Sequence, residues 1–105
     1  MKLRYKLVEQ GSVFSTRSRG VRMLTDLESR VSEAQGPIVL DFEGVKHVSY
    51  SFADEFVGKL MQRAHDTGSP LPELVNIDQR TVYDVIELNL RSRDLDSAQV
   101  LLAPA

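Results

Sequence analysis

The sequence predicts a single α/β domain in which strands alternate with amphipathic helices. Residues 38–42 form an apolar run broken by one acid, which is typical of a central strand covered on both faces. Helical periodicity at residues 18–35 precedes this run, and a second helical stretch at residues 51–65 follows it. The 105 residues, 42% of them hydrophobic and 27% charged, have the size and composition of one globular domain spanning residues 1–105.

Two short strands are predicted before the first helix. Residues 3–7 alternate between apolar and basic side chains, which is the period of a half-buried strand. A turn signal at Gly11-Ser12 follows, and then a short strand at residues 13–15. We expect these strands to pair as an N-terminal hairpin at the edge of the sheet, with outward lysines that oppose pairing with another chain.

Start and stop signals define the next two helices. Gly36 and Pro37 end the first helix. Ser51 is predicted to cap the second helix, because Ser51 and Asp54 have the spacing of a capping box, and Gly68 lies near its end.

A strand, a helix and a last strand complete the predicted order. The strand lies at residues 74–77, Asp78 is a suitable N-cap for the helix, and the last strand lies at residues 99–102. The full order is β-β-α-β-α-β-α-β. We expect a mixed four- to five-stranded sheet with the N-terminal hairpin at one edge and about three helices packed against it.

Composition and motifs argue against several classes of function. The chain has no cysteine, and its two histidines, His47 and His65, share no metal-ligand motif. No phosphate loop, dinucleotide fingerprint or nucleophile elbow is present. A net charge of −2 argues against a nucleic-acid partner, and neither a membrane span nor the apolar stretch of a signal peptide is found. We therefore expect a cytoplasmic protein that is not an enzyme and uses no cofactor or metal.

Basic residues gather near the start of the first helix. Residues 1–36 hold seven basic and four acidic groups, a net charge of +3, and Arg17, Ser18 and Arg19 lie at the helix start. Cations are unfavourable at a helix N-terminus, whereas hydroxyls, free N–H groups and guanidinium groups together suit an anion. Two interpretations stay open: a solvated helix start, or a candidate anion site for a phosphate, a nucleotide or an acidic partner.

Two strings around the second predicted helix carry a resemblance to a known family. Val-Leu-Asp-Phe-Glu-Gly-Val at residues 39–45 and Ser-Tyr-Ser-Phe-Ala-Asp-Glu-Phe at residues 49–56 resemble the core of a bacterial STAS-like domain of unknown function. They are similar, more distantly, to the STAS domains of anti-sigma factor antagonists. This resemblance implies a STAS-like sheet with helices packed against it, and a binding role rather than a catalytic one.

The resemblance also implies a site. In the antagonists, a serine at the start of the second helix is phosphorylated by a partner of the histidine-kinase-like ATPase type, and that position falls on Ser51. The antagonists carry Asp-Ser-Ser-Gly at this junction, whereas this chain reads Ser-Tyr-Ser-Phe. Ser51 is therefore the candidate phosphoacceptor, and the candidate partner surface around it consists of Ser49, Tyr50, Asp54 and Glu55.

The sequence thus predicts a small regulatory protein-interaction module. We expect a monomer that binds a histidine-kinase-like ATPase or a similar regulatory protein, with phosphorylation of Ser51 as the candidate switch. The alternative is a nucleotide- or nucleic-acid-binding module that uses the arginine cluster, and this alternative predicts salt-dependent binding to a generic oligonucleotide.

Overall fold

A computed structural model describes residues 3–31 and 37–95 of the chain. Within these ranges the strands are β1 (Leu3–Lys6), β2 (Val13–Phe14), β3 (Ile38–Asp41), β4 (His47–Val48) and β5 (Glu73–Val75). The helices are α1 (Arg17–Val31), α2 (Tyr50–Ala53), α3 (Lys59–Thr67) and α4 (Arg80–Ser92). A π turn, Asp54–Gly58, joins α2 to α3, and we call the continuous helical stretch over residues 50–67 the central helix.

The described strands form two parallel sheets. β3 is the middle strand of a three-stranded sheet in the order β1-β3-β5, and β2 pairs with β4 in a two-stranded sheet. The predicted α/β class is confirmed, and so is a central strand over residues 38–42: Val39 and Leu40 point to opposite faces and both are buried. The expected single mixed sheet of four to five strands is not what the described residues form.

The predicted N-terminal hairpin is wrong. β1 pairs with β3, with Tyr5 opposite Leu40, and β2 pairs with β4, with Phe14 opposite Val48; both pairings are parallel. The alternating pattern of β1 was read correctly, since Tyr5 is buried and its basic neighbours are exposed. Such a pattern determines which face of a strand is buried but not which strand lies beside it.

Other element boundaries differ only locally. Gln79 is the N-cap of α4 and makes no side-chain cap hydrogen bond, so the prediction that Asp78 caps this helix is wrong. The strand expected at residues 99–102 and the end of the first predicted helix, residues 32–36, lie outside the described residues.

The apolar residues of the central helix repeat every four positions. Two rows are buried, one of Phe52, Phe56 and Leu60 and the other of Ala53, Val57 and Met61. An α-helix has 3.6 residues per turn, so a four-residue repeat drifts by about 40° around it at each step. A π turn has more residues per turn and reduces this drift. The π turn therefore keeps both rows facing the core.

Close backbone packing joins α1 to the central helix at Gly20. A Cβ on Gly20 would lie 2.9 Å from the carbonyl oxygen of Phe52 and 2.9 Å from the Cβ of Glu55. Both neighbours are held in the helix, so neither has room to move aside. The missing side chain lets α1 lie directly against the start of the π turn.

A second close approach joins α4 to the same turn. A Cβ on Gly58 would collide with the Oδ1 atom of Asn89 and would lie 2.6 Å from the Nε atom of Arg93. The π turn is therefore packed tightly against α1 at one glycine and against α4 at the other.

We expect Gly20→Ala to destabilise the protein by about 1–3 kcal/mol, because the added methyl group overpacks this contact. The same change in an uncrowded helix stabilises by about 1 kcal/mol, so the sign of the effect is diagnostic. Urea unfolding followed by circular dichroism measures it, with the exposed Arg22→Ala on the same helix as the control. A Gly20→Ala variant more stable than the wild type would contradict the close approach.

Candidate functional site

The helix starts that carry the candidate residues lie side by side. β2 leads into α1, and β4 leads into the central helix. Because β2 and β4 are parallel neighbours, and the Ser49 N–H donates to the Phe14 carbonyl at 2.8 Å, both chains leave the small sheet at the same end. The structure therefore brings the two groups of candidate residues together.

Ser49, rather than Ser51, caps the central helix. Ser49 has extended backbone angles (φ −81°, ψ 161°), and its Oγ atom accepts a hydrogen bond from the Phe52 N–H at 3.0 Å. Ser51 lies inside the first turn and is half-buried. The predicted Ser51–Asp54 capping box is wrong, because β4 ends at Val48 and the next residue already has the extended backbone that a cap requires.

Asp54 is bound by side chains from two other helices. Arg17 of α1 donates to its Oδ2 atom at 3.0 Å, while Asn89 of α4 and Arg93, the C-cap of that helix, donate to its Oδ1 atom at 3.0 Å and 2.8 Å. Arg93 also donates to the main-chain carbonyl of Asp54 at 3.2 Å. Burial by itself would raise the pKa of the Asp54 carboxyl, but the hydrogen bonds from Asn89, Arg17 and Arg93 outweigh it and lower the pKa to about 2.

Glu55 is held by two cations. Its carboxylate binds Arg17 at 2.8 Å and Lys59 at 2.8 Å, and these hydrogen bonds, from Lys59 first and then Arg17, lower its pKa. The residue is only 8% exposed. This corrects the expectation that Glu55 belongs to an exposed partner surface. We call Arg17, Asp54, Glu55, Lys59, Asn89 and Arg93 the Asp54 cluster.

The arginines at the start of α1 do not face a shared open site. The guanidinium of Arg17 binds Asp54 and Glu55, whereas that of Arg19 lies 5.2 Å from the centroid of the Phe14 ring and donates to the Gln10 carbonyl. The hydroxyl of Ser18 lies 3.4 Å from that of Thr16 and is exposed. The two guanidinium groups of the candidate anion site therefore bind different partners, because carboxylates on the central helix lie within reach of Arg17.

Tyr50 remains on the surface, as the partner-surface prediction requires. The residue is 39% exposed, and its hydroxyl lies 3.0 Å from the Ser92 hydroxyl at the end of α4. Together, Ser49, Tyr50 and Ser51 form what we call the junction surface, which lies at the start of the central helix.

Asn89 and Arg93, on α4 and at its C-cap, were not among the predicted site residues. Asn89 is fully buried and lies on the same helix face as the buried Val82 and Ile86. An amide on an apolar stripe needs hydrogen-bond partners. The presence of Asn89 on the apolar face of this helix was therefore the signal in the sequence that could have identified it.

An apolar cavity lies at the far end of the central helix. It has a volume of about 370 Å³ and is lined mainly by Val31, Ile38, Leu60 and Ala64, with Glu28 and Arg63 paired at its rim. None of the candidate residues lines it. Across residues 3–31 and 37–95 no group of three or more side chains is arranged to hold a metal ion. In the same ranges no helix has the length and apolar character needed to cross a membrane.

The topology and the junction surface define a small parallel α/β domain with two helix starts at one end. Residues 19–67 of this chain match the family model described as a STAS-like domain of unknown function. The match begins within α1 and ends with the central helix, so it contains Ser51 and both acids of the cluster. The STAS-like resemblance is therefore confirmed over this segment. No curated protein and no solved structure matches the chain.

Replacing Ser49 by Ala is expected to cost about 1 kcal/mol of unfolding free energy, because the cap hydrogen bond to Phe52 is lost. Ser51→Ala is the matched control two residues away, and it should change the unfolding free energy by less than about 0.5 kcal/mol. Urea unfolding of both variants compares them. A larger loss for Ser51→Ala than for Ser49→Ala would restore Ser51 as the cap.

Asp54→Asn should lower the unfolding free energy by about 2 kcal/mol at pH 7, which is the value of a pKa shift from 3.8 to about 2. A depressed carboxyl pKa stabilises the fold above the unfolded-state value and stops doing so as the pH falls through the folded-state value. The difference between variant and wild type should therefore shrink as the pH falls from about 4 to about 2. Urea titrations across this range measure it, with the exposed Asp78→Asn as the control. A constant difference down to pH 2.5 would contradict the assignment.

Proposed function

We propose that this chain is a regulatory protein-interaction module of the STAS-like kind, and that it binds its partner through the junction surface. The observation that carries the proposal is the exposed Tyr50 ring beside Ser51 at the start of the central helix. Aromatic side chains are enriched at protein interfaces because they bury a large area with little loss of conformational entropy. The proposed role is binding rather than catalysis, by a cytoplasmic monomer without a cofactor.

The charge balance beneath the junction surface supports Ser51 as the candidate phosphoacceptor. Asp54 and Glu55 lie one turn beyond Ser51 and would repel a phosphate if they were free. Instead, they share three cations, Arg17, Lys59 and Arg93, which leaves the cluster with a net charge of +1. A phosphate on Ser51 would therefore meet a surplus of positive charge rather than unpaired acids.

A histidine-kinase-like ATPase, or a similar regulatory protein, is the proposed partner. The match to a STAS-like domain and the resemblance to anti-sigma factor antagonists support this choice. In the proposed modification the Ser51 hydroxyl attacks the γ-phosphorus of ATP. The Oγ–P bond forms, the bond to the β-phosphate breaks, and ADP and the hydroxyl proton leave. Because Ser49 and Phe52 replace the acid and the glycine of the antagonist motif, we expect a partner that differs from the usual kinase of the antagonists.

We expect Ser51→Asp to weaken partner binding at least tenfold, because it places a hydrated charge on the junction surface. Ser51→Ala should keep the affinity of the wild type. Thr81→Asp is the matched control: it adds an acid at the equivalent position, the second residue of a helix, on the exposed start of α4. The partner is recovered from native cells on the immobilised wild-type chain, and its affinity for each variant is measured by calorimetry.

All three variants should unfold within about 0.5 kcal/mol of the wild type, because each change lies outside the core. Equal affinities for wild type, Ser51→Asp and Thr81→Asp would show that the junction surface does not bind the partner. A recovered partner that phosphorylates Ser51 in the presence of ATP, seen by mass spectrometry, would support the switch.

A further inference from the structure

The alignment of α1 with the central helix places Arg17 near the level of Ser51 along the helix axis. The two helices run in the same direction, with Gly20 against Glu55 and Glu28 paired with Arg63. In both pairs the partners differ by 35 positions in the sequence. The same offset puts Arg17 level with Phe52, the residue that follows Ser51.

The Arg17 guanidinium also lies on the same side of the central helix as Ser51. Around the axis of an α-helix, the third and fourth residues after a given residue are rotated from it by about −60° and +40°. The direction in which Ser51 projects therefore falls between those of Asp54 and Glu55. Side chains on a helix also lean toward its N-terminus, which brings both carboxylates toward the turn that contains Ser51. The Nη1 atom of Arg17 bridges these carboxylates at 3.0 Å and 2.8 Å, and therefore lies over the same face.

Both acids keep a cation if Arg17 turns away from them. Asp54 retains Arg93 at 2.8 Å, and Glu55 retains Lys59 at 2.8 Å. The Arg17 side chain is 48% exposed, so its movement leaves no cation buried without a partner. Arg17 can thus bind another anion without leaving either acid unpaired.

We infer that Arg17 recognises the phosphorylated state of Ser51. On phosphorylation, its guanidinium exchanges the ion pairs with Asp54 and Glu55 for charge-assisted hydrogen bonds to the phosphate oxygens. Arg17 is the first residue of α1. The exchange therefore links the charge on Ser51 to the start of α1. In this arrangement Arg17 binds the anion and Arg19 does not. This inference rests on the proposed phosphorylation of Ser51 and adds the residue that reads it.

The experiment installs phosphoserine at position 51 by genetic incorporation, so it needs neither the kinase nor the partner. Phosphorus NMR then gives the second pKa of the phosphate, which is about 6 for a free phosphoserine. Pairing with Arg17 should lower this pKa by about one unit. Arg17→Gln should remove most of the shift, whereas the exposed Arg22→Gln, on the same helix, should leave it unchanged.

If the phosphorylated Arg17→Gln variant does not fold, the second pKa of phosphoserine at position 51 is compared with that of phosphoserine at position 81 instead. Phosphoserine at position 81 has the same place in the first turn of α4, so it shares the effect of a helix start but not Arg17. The second pKa at position 51 should be lower than at position 81, and Arg17→Lys should keep most of the lowering at position 51. An equal pKa at the two positions, or a shift that persists in Arg17→Gln, would overturn the inference. If phosphorylation of Ser51 leaves the partner affinity unchanged but Arg17 still lowers the second pKa of the phosphate, the result counts against the proposed function and not against this inference.

Discussion

Three helices of this protein are held in register by one carboxylate. Asp54 accepts hydrogen bonds from Arg17 on α1, from Asn89 on α4 and from Arg93 at the C-cap of α4, and it lies at the start of the π turn of the central helix. Each of these bonds has a charged partner, which makes it stronger than a bond between neutral groups. Without this carboxylate two arginines would face each other across the central helix with no shared anion between them.

Tight packing around the π turn accompanies this electrostatic contact. Gly20 and Gly58 let α1 and α4 approach the same five residues from different sides. The docking of α4 has a cost, because the Oδ1 atom of Asn89 and the Nε atom of Arg93 are buried without a hydrogen-bond partner among the described residues. The Nδ2 atom of Asn89 and the Nη2 atom of Arg93 bind Asp54, so the cost and the compensating bonds occur in the same place.

The same arrangement also changes the net charge around Ser51. In the sequence, Asp54 and Glu55 look like an acidic surface that would repel a phosphate. In the folded chain they are neutralised by cations drawn from three helical segments, with one positive charge in excess. The two acids are therefore paired within the fold rather than part of an exposed acidic surface, and Arg17 belongs to this cluster rather than to a separate arginine site.

Local patterns in the sequence determined the α/β class, the buried central strand, the approximate positions of the main helices and the STAS-like resemblance. Each depends on side-chain periodicity or on short motifs, which neighbouring residues along the chain decide. Only the tertiary structure decided the parallel pairing of β1 with β3, because an alternating pattern is satisfied by any suitable neighbour. It also decided that Ser49 rather than Ser51 caps the helix, and that Arg17 and Arg93 meet at Asp54. The two arginine contacts join residues that lie 37 and 39 positions apart in the sequence, and their strength depends on burial and geometry that no local pattern contains. The cap is a local contact, but its position depends on where β4 ends, and the pairing of β4 with β2 decides that.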